Sequence, residues 1–370
     1  MSSDKIILNL QAKVVTPVHV GGAQERHYTA NLDFVKDGDK VYFLDESKLI
    51  HHFGIERYSH SLATNAIPDL LRSVQTESYA TTISSMNGDP GQEIKRHIRN
   101  QLDNRPILPG SSIKGAIRSV LLNYLIFINN VDRKRIRKVD EEMFGKISDD
   151  AMRFLQVIDT PFEQVKLYNT KIMNLQEDKN GWYGGWKQGQ KMTTEKFSEK
   201  GFTTGYECID KGQLSTLSII LNLKAFRTAL KNRAVKSSYA LEELFAKNFA
   251  DKFLEIVQKY SAFHLKAGTN FVNTFQEYDS DFMVVEAYQE IQKIAQNSPL
   301  LRLGAGSGFH AMTGDWQFDD HTETGYHQGG RNHGKKKYKS RKLAFEWDDT
   351  RGNEGEYVFY PMGFIELKKL

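Results

Sequence analysis

An α+β fold is what this sequence predicts, on three observations. Residues 5–15 alternate and are rich in β-branched side chains, which is the period of a half-buried strand. Residues 106–129 and 237–262 place apolar side chains at helical spacing instead. Strand-like segments alternate with helical ones along the whole chain, and no repeat period is visible.

The elements follow in order. After the first strand comes TPVHVGGAQERHYTA, residues 16–30, where Gly21 and Gly22 permit close backbone approach and Arg26 and His27 follow. Residues 31–36 and 40–44 read as a hairpin closed by Asp37-Gly38-Asp39, and Asp45-Glu46-Ser47 opens a helix through residue 53. Further helical pieces run to about 76, and His51 and His52 read as a surface and a packing position. The mixed stretch 77–110 includes three arginines, a lysine and a histidine between 95 and 105.

The clearest helix is PILPGSSIKGAIRSVLLNYLIFIN, residues 106–129. Pro109-Gly110 makes a turn, and Ser111 or Ser112 can cap the first N–H groups. Ile113, Ile117, Val120, Leu121, Tyr124 and Ile128 form the apolar stripe. Lys114 and Arg118 lie four apart on the other face, with Gly115 beside them. Two cations at a helix start oppose its dipole, and a helical glycine costs about 1 kcal/mol against alanine. A docked phosphate explains both, and an ordinary helix with solvated basic residues is the competing reading.

Five of the six residues 133–138 are basic. Met152–Asp159 and Val165–Leu175 read as strands. Residues 177–205 are rich in glycine and aromatic residues and are too long for an ordinary connection, so they read as a protruding hairpin or finger. A strand over 213–223 and helices over 224–233, 237–262 and about 279–296 follow. The run LLRLGAGSGF leads into a glycine loop at 304–308, beside Arg302. Residues 319–342 are polar and low in complexity, ending in a tract at 331–342 with seven basic residues and no acid. Two short strands near Tyr357–Tyr360 and Phe364–Leu367 close the chain.

Composition excludes several classes. Hydrophobic content is 39% and charged content 26%, ordinary for a soluble globular chain of 370 residues. The lone Cys208 rules out an internal disulfide and a cysteine-rich zinc site, and suits a reducing cytoplasm. The N-terminus has no signal-peptide core, and no run approaches the ~20 apolar residues of a membrane span. Net charge is only +4, so the distribution of charge has to speak for nucleic acid. Basic clusters beside Trp182, Tyr183 and Trp186 suit single-stranded RNA, whose bases stack on rings while phosphates meet cations. The glycines at 304, 306 and 308 fit neither the dinucleotide-binding nor the Walker pattern. His321, His327 and His333 recur every six residues, but in a Gly-rich polar loop that reads as exposed rather than metal-binding.

Three motifs stand in order: TPVHVGG at 16–22, PILPGSSIKGAIRSVL at 106–121 and LRLGAGSGF at 301–309. Together they resemble the RAMP superfamily of CRISPR proteins, and within it most the Csm-type subunits that cap type III-A effector complexes. The resemblance spans about 5 to 310. It implies an RRM-like core, a ferredoxin-type βαββαβ unit over 1–160, with a second related half over 161–370. That half would hold the finger at 177–205, a helical insertion at about 224–297 and the glycine loop.

The implied function is non-catalytic binding of crRNA near its 3′ end, supporting guide maturation and antiviral defence in the cytoplasm. The implied partners are crRNA, target RNA, the backbone RAMP subunit, a small helical subunit and a host exoribonuclease, with no membrane and no cofactor. Residue by residue, the resemblance carries RNA contact to His19, Gly21 and Gly22, to Gly110, Ser111, Ser112, Lys114 and Arg118, and to Gly304, Gly306 and Gly308; Arg26, Gly115 and Arg302 join them from their places beside these motifs. The finger corresponds to the family's thumb. Asp33 falls where the backbone subunit has its cleavage aspartate. The alternative is therefore a RAMP endoribonuclease acting through Asp33, His19 or His310, as general base or metal ligand.

Overall fold

The computed structural model describes residues 4–21, 27–132, 138–178, 181–189, 193–194, 196–276, 283–308, 311, 323–324 and 336–370. Strand β1 (Ile6–Val14) alternates as expected, burying Leu8, Leu10, Ala12 and Val14. After β2 (Tyr28–Thr29), β3 (Phe34–Asp37) and β4 (Lys40–Leu44) form the expected hairpin. Helices α1 (Glu46–Phe53), α2 (Ile55–Ala63) and α3 (Ile67–Leu71) follow, and β5 (Ala80–Ser85) returns to pair with β4. This three-stranded unit buries a small core of its own around Tyr42, Leu49, Tyr58 and Leu70.

Strands β6 (Glu93–Lys95) and β7 (Ile107–Leu108) lead into α4 (Gly110–Ile128). By length and composition α4 could cross a membrane; here more than half of it is buried in the protein core. Then come α5 (Val139–Phe144), β8 (Leu155–Val157) and β9 (Thr160–Pro161). Long strand β10 (Val165–Asp178) is followed by β11 (Gly181–Lys187), β12 (Thr193–Thr194), β13 (Thr203–Ile209) and β14 (Leu214–Leu221). Helices α6 (Leu223–Lys231), α7 (Tyr239–Leu244), α8 (Phe249–Gln276) and α9 (Met283–Asn297) complete the helical part. The last strands are β15 (Leu300–Arg302), β16 (Glu323–Thr324), β17 (Lys336–Asp348), β18 (Glu356–Pro361) and β19 (Phe364–Lys369).

Two large sheets organise these elements. The first is antiparallel, in the order β15-β19-β1-β14-β8. Helices α4 and α8 pack on one of its faces, where Leu8, Leu10 and Val14 meet Ile113, Ile117, Leu121, Phe253 and Val257. The second has nine strands built around β10. One edge of β10 serves β13 over Val165–Lys171 and then β11 over Met173–Asp178. Its other edge takes β17, which carries β16 and β18.

Four expectations are corrected. The first sheet runs across the expected division at 160/161, because β1 lies between β14 and β19. Within the expected finger, Glu177–Asp178 and Gly181–Trp186 do form a hairpin, but Trp186 is core rather than a stacking platform: it is 1% exposed and stacks on Phe359 at 4.9 Å. The side chains of Trp182 and Tyr183 lie outside the described residues. The polar tract becomes strand from Lys336 onward, because Asn169–Gln176 of β10 pair with Tyr338–Phe345. The helix expected over 237–262 breaks at Phe245–Asn248, and its second part runs on to Gln276.

Candidate nucleic-acid interface

The loop after β1 is tied down before it reaches His19. Val18 and Ile209 exchange backbone hydrogen bonds of 3.2 and 2.8 Å. His19 Nδ1 then donates to the Glu207 carbonyl at 2.7 Å. A carbonyl only accepts, so Nδ1 carries the proton and Nε2 is left as an acceptor. The ring is 3% exposed and stands edge-on to Tyr206 at 4.8 Å and to His97 at 5.7 Å.

His97 joins the first motif to the second. Its Nδ1 accepts from Val20 N at 3.3 Å, and its Nε2 donates to the Ile107 carbonyl at 3.0 Å, three residues before α4. Its backbone N–H donates to Glu207 Oε2 at 3.0 Å, and Arg99 donates to Glu207 Oε1 at 3.1 Å. Burial pushes His19 down to about 4 and His97 down to about 3, so both imidazoles are neutral near pH 7. The third motif closes on the same loop. Ala305 N donates to the His19 carbonyl at 2.8 Å. Gly304 has φ +80°, and a Cβ there would lie 2.3 Å from that carbonyl oxygen, so only glycine fits.

The start of α4 departs from expectation. Neither Ser111 nor Ser112 caps it; the N-cap is Pro109. Asp159 instead accepts from Gly110 N at 2.7 Å, so the chain supplies its own anion at the helix dipole. Gly110 is needed for closeness, since a Cβ would meet the Val157 carbonyl at 2.0 Å. Arg118 is engaged internally: it bonds Asp150 at 2.7 Å, lies 3.9 Å from Asp140 and covers the Phe144 ring at 4.4 Å. Lys114 is half-buried and makes no ion pair among the described residues. Burial lowers its ammonium, Asp150 raises it and Arg118 lowers it further. A Cβ on Gly115 would point into open space.

Arg302 is the plainest correction. It is 7% exposed, donates to the Met362 and Gly306 carbonyls at 3.1 and 3.3 Å, and lies over the Phe364 ring. It braces the glycine loop from inside instead of facing a ligand. Asp33 closes a turn, accepting from Thr29 N at 2.8 Å, and borders a cleft of about 520 Å³ that Arg96, Arg99 and Glu207 also line. Among the described residues no three His, Cys, Asp or Glu side chains gather as a metal ion requires.

Gly306 and Gly308 continue the loop with φ +78° and +76°. Gly22, Arg26, His310, His321, His327, His333 and residues 133–137 and 331–335 lie outside the described residues. Sequence reading missed His97, Glu207, Tyr206 and Lys342 as parts of one site. His97 sits in the basic stretch at 95–105, and Lys342 ends the basic tract. Lys342 Nζ donates to Tyr206 Oη at 2.6 Å and lies 4.8 Å from that ring's centre.

Comparison with known proteins bears on this arrangement. The RAMP superfamily model matches residues 11–309. The "CRISPR system Cms protein Csm5" of Streptococcus thermophilus is 25% identical over 201 residues, which is 45% of this chain. The chain spans 55% of that relative's length. The crystal structure of T. onnurineus Csm5 superposes with a TM-score of 0.63 at 19% identity, covering 96% of this chain and 99% of that one. A chain in the cryo-EM structure of a Csm-crRNA-target RNA ternary complex of a type III-A CRISPR-Cas system gives a TM-score of 0.64 at 18% identity, covering 98% and 100%. At such identities the two structures speak for the fold alone, while the family model covers most of the sequence: the chain belongs to the RAMP superfamily.

Proposed function

We propose that this protein is a crRNA-binding subunit of a type III-A CRISPR (Csm) effector complex and does no chemistry on RNA itself. The observation that carries the reading is the meeting of the three family motifs around His19. Ala305 bonds its carbonyl, and His97 links the residue after it to the strand before α4. Glycine backbone around His19 with Lys342 beside it, and a separate half-buried Lys114 on α4, suit a phosphate chain better than a small molecule. The names of the similar proteins support the same reading. On it, the core is RRM-like: β1, α4, β8, β14, α8 and β15 run in βαββαβ order, with β19 inserted beside β1. The subunit caps the backbone filament near the guide's 3′ end, in the cytoplasm, beside a backbone RAMP subunit and a small helical subunit. A host exoribonuclease then trims the guide, and the β10–β11 hairpin serves as the thumb between guide and target.

Titration with single-stranded RNA over a range of salt tests this. Lys114→Ala is expected to weaken binding equally for all sequences and to lower the slope of log K against log salt by roughly 0.7. Unchanged affinity and slope would overturn the assignment of that face. Arg118→Ala is expected to lower stability, because Asp150 loses its partner. RNA incubated with the protein, with and without Mg²⁺, is expected to stay intact. Site-specific products lost in Asp33→Ala or His19→Ala would replace the reading with an endoribonuclease. A pKa near 4 makes His19 a poor general base at neutral pH.

A further inference from the structure

His19 is oriented more strictly than a packing residue needs to be. Its Nδ1–H is spent on the Glu207 carbonyl, and Tyr206 and His97 hold the ring from both sides. What remains is Nε2, a lone pair with no partner among the described residues. Gly21 sits over it, and a Cβ built on Gly21 would come within 3.3 Å of Nε2. The missing side chain therefore leaves room for one small donor. Lys342, Lys95 and His27 are near enough to this imidazole to resist its protonation. Lys95 is paired with Glu93, whereas Lys342 donates to the phenol of Tyr206 and has no ion-pair partner among the described residues. A lone acceptor next to such a cation matches one nucleotide of RNA: a 2′-hydroxyl to donate and a phosphate to be met.

We propose that His19 Nε2 accepts a hydrogen bond from one ribose 2′-hydroxyl while Lys342 meets the adjoining phosphate, so that this loop distinguishes RNA from DNA. This rests on the RNA-binding reading above and adds a discriminating contact to it. Gly21 is absent in side chain because a methyl group would fill the place of the hydroxyl. DNA has no donor to offer there and leaves Nε2 unpaired, which is the kind of mismatch a site rejects.

The test uses the full chain with a single-stranded oligoribonucleotide and an oligodeoxyribonucleotide of the same sequence. The wild-type protein is expected to prefer RNA by roughly fivefold or more, the worth of one hydrogen bond. Gly21→Ala should bring that ratio close to one, while Lys342→Ala should weaken RNA and DNA by the same factor. A scan of single 2′-deoxy substitutions through the RNA, read on the wild-type protein, should find one sensitive nucleotide, whatever Gly21→Ala does to folding. Tight RNA binding with an unchanged ratio in Gly21→Ala and a flat scan would overturn this inference and leave the RNA-binding reading standing. No RNA binding by the wild-type protein would overturn both.

Discussion

Two buried neutral histidines have a price in acid. Unfolded, each takes up a proton near 6.5; folded, His19 does so only near 4 and His97 near 3. Between those values the unfolded chain binds more protons, so acidification favours it. Stability is full above about pH 6.5 and falls below it, by up to about 1.4 kcal/mol per pH unit for each histidine. A urea midpoint that declines from about pH 7 to about pH 5 is expected, and a level one contradicts the assignment. At this scale much of the site was readable. His19 and the glycines at 304, 306 and 308 stood out as residue types that do unusual things. Glu207 did not, because nothing in a strand sequence marks the residue whose carbonyl and carboxylate each hold a different partner. Arg302 was misread for a related reason: a guanidinium bracing carbonyls and one awaiting phosphate look alike in sequence.

Among the elements, α4 shows how far periodicity reaches. Its apolar stripe was legible and is buried from Ile113 to Leu121. Its electrostatics were not, since the acid that answers the dipole lies 49 residues away in sequence. Asp159→Ala is expected to cost about 1 kcal/mol, lowering Tm by a few degrees in thermal unfolding followed by circular dichroism. Asp159→Asn should recover part of that, because an amide oxygen still accepts from Gly110 N. An unshifted Tm in Asp159→Ala would show that the contact contributes nothing. Strand β17 went unseen for the opposite reason. Its first half is a run of lysines with no period, and it is a strand because β10 presents an unpaired edge.

For the whole molecule, α+β was predictable from the mixture of periods, but a sheet that crosses the expected division at 160/161 was not. Sequence order suggests halves, and strand pairing over long separations ignores them. A fragment of residues 1–160 would leave both edges of β1 bare, so it is expected to lack a cooperative unfolding transition in circular dichroism; a sharp transition would contradict the shared sheet. The insertion of β19 between β1 and β15 also has a consequence in time. Val14 pairs with Ile365 and His19 with Ala305, so a ribosome delivers the first strand long before its neighbours exist. Until then β1 lacks both of its neighbouring strands and its apolar face has no sheet around it. The motif cluster is assembled only after translation of the glycine loop and the last strand. On the RNA-binding reading, nascent chains should therefore be unable to capture RNA before the glycine loop and the last strand have been made.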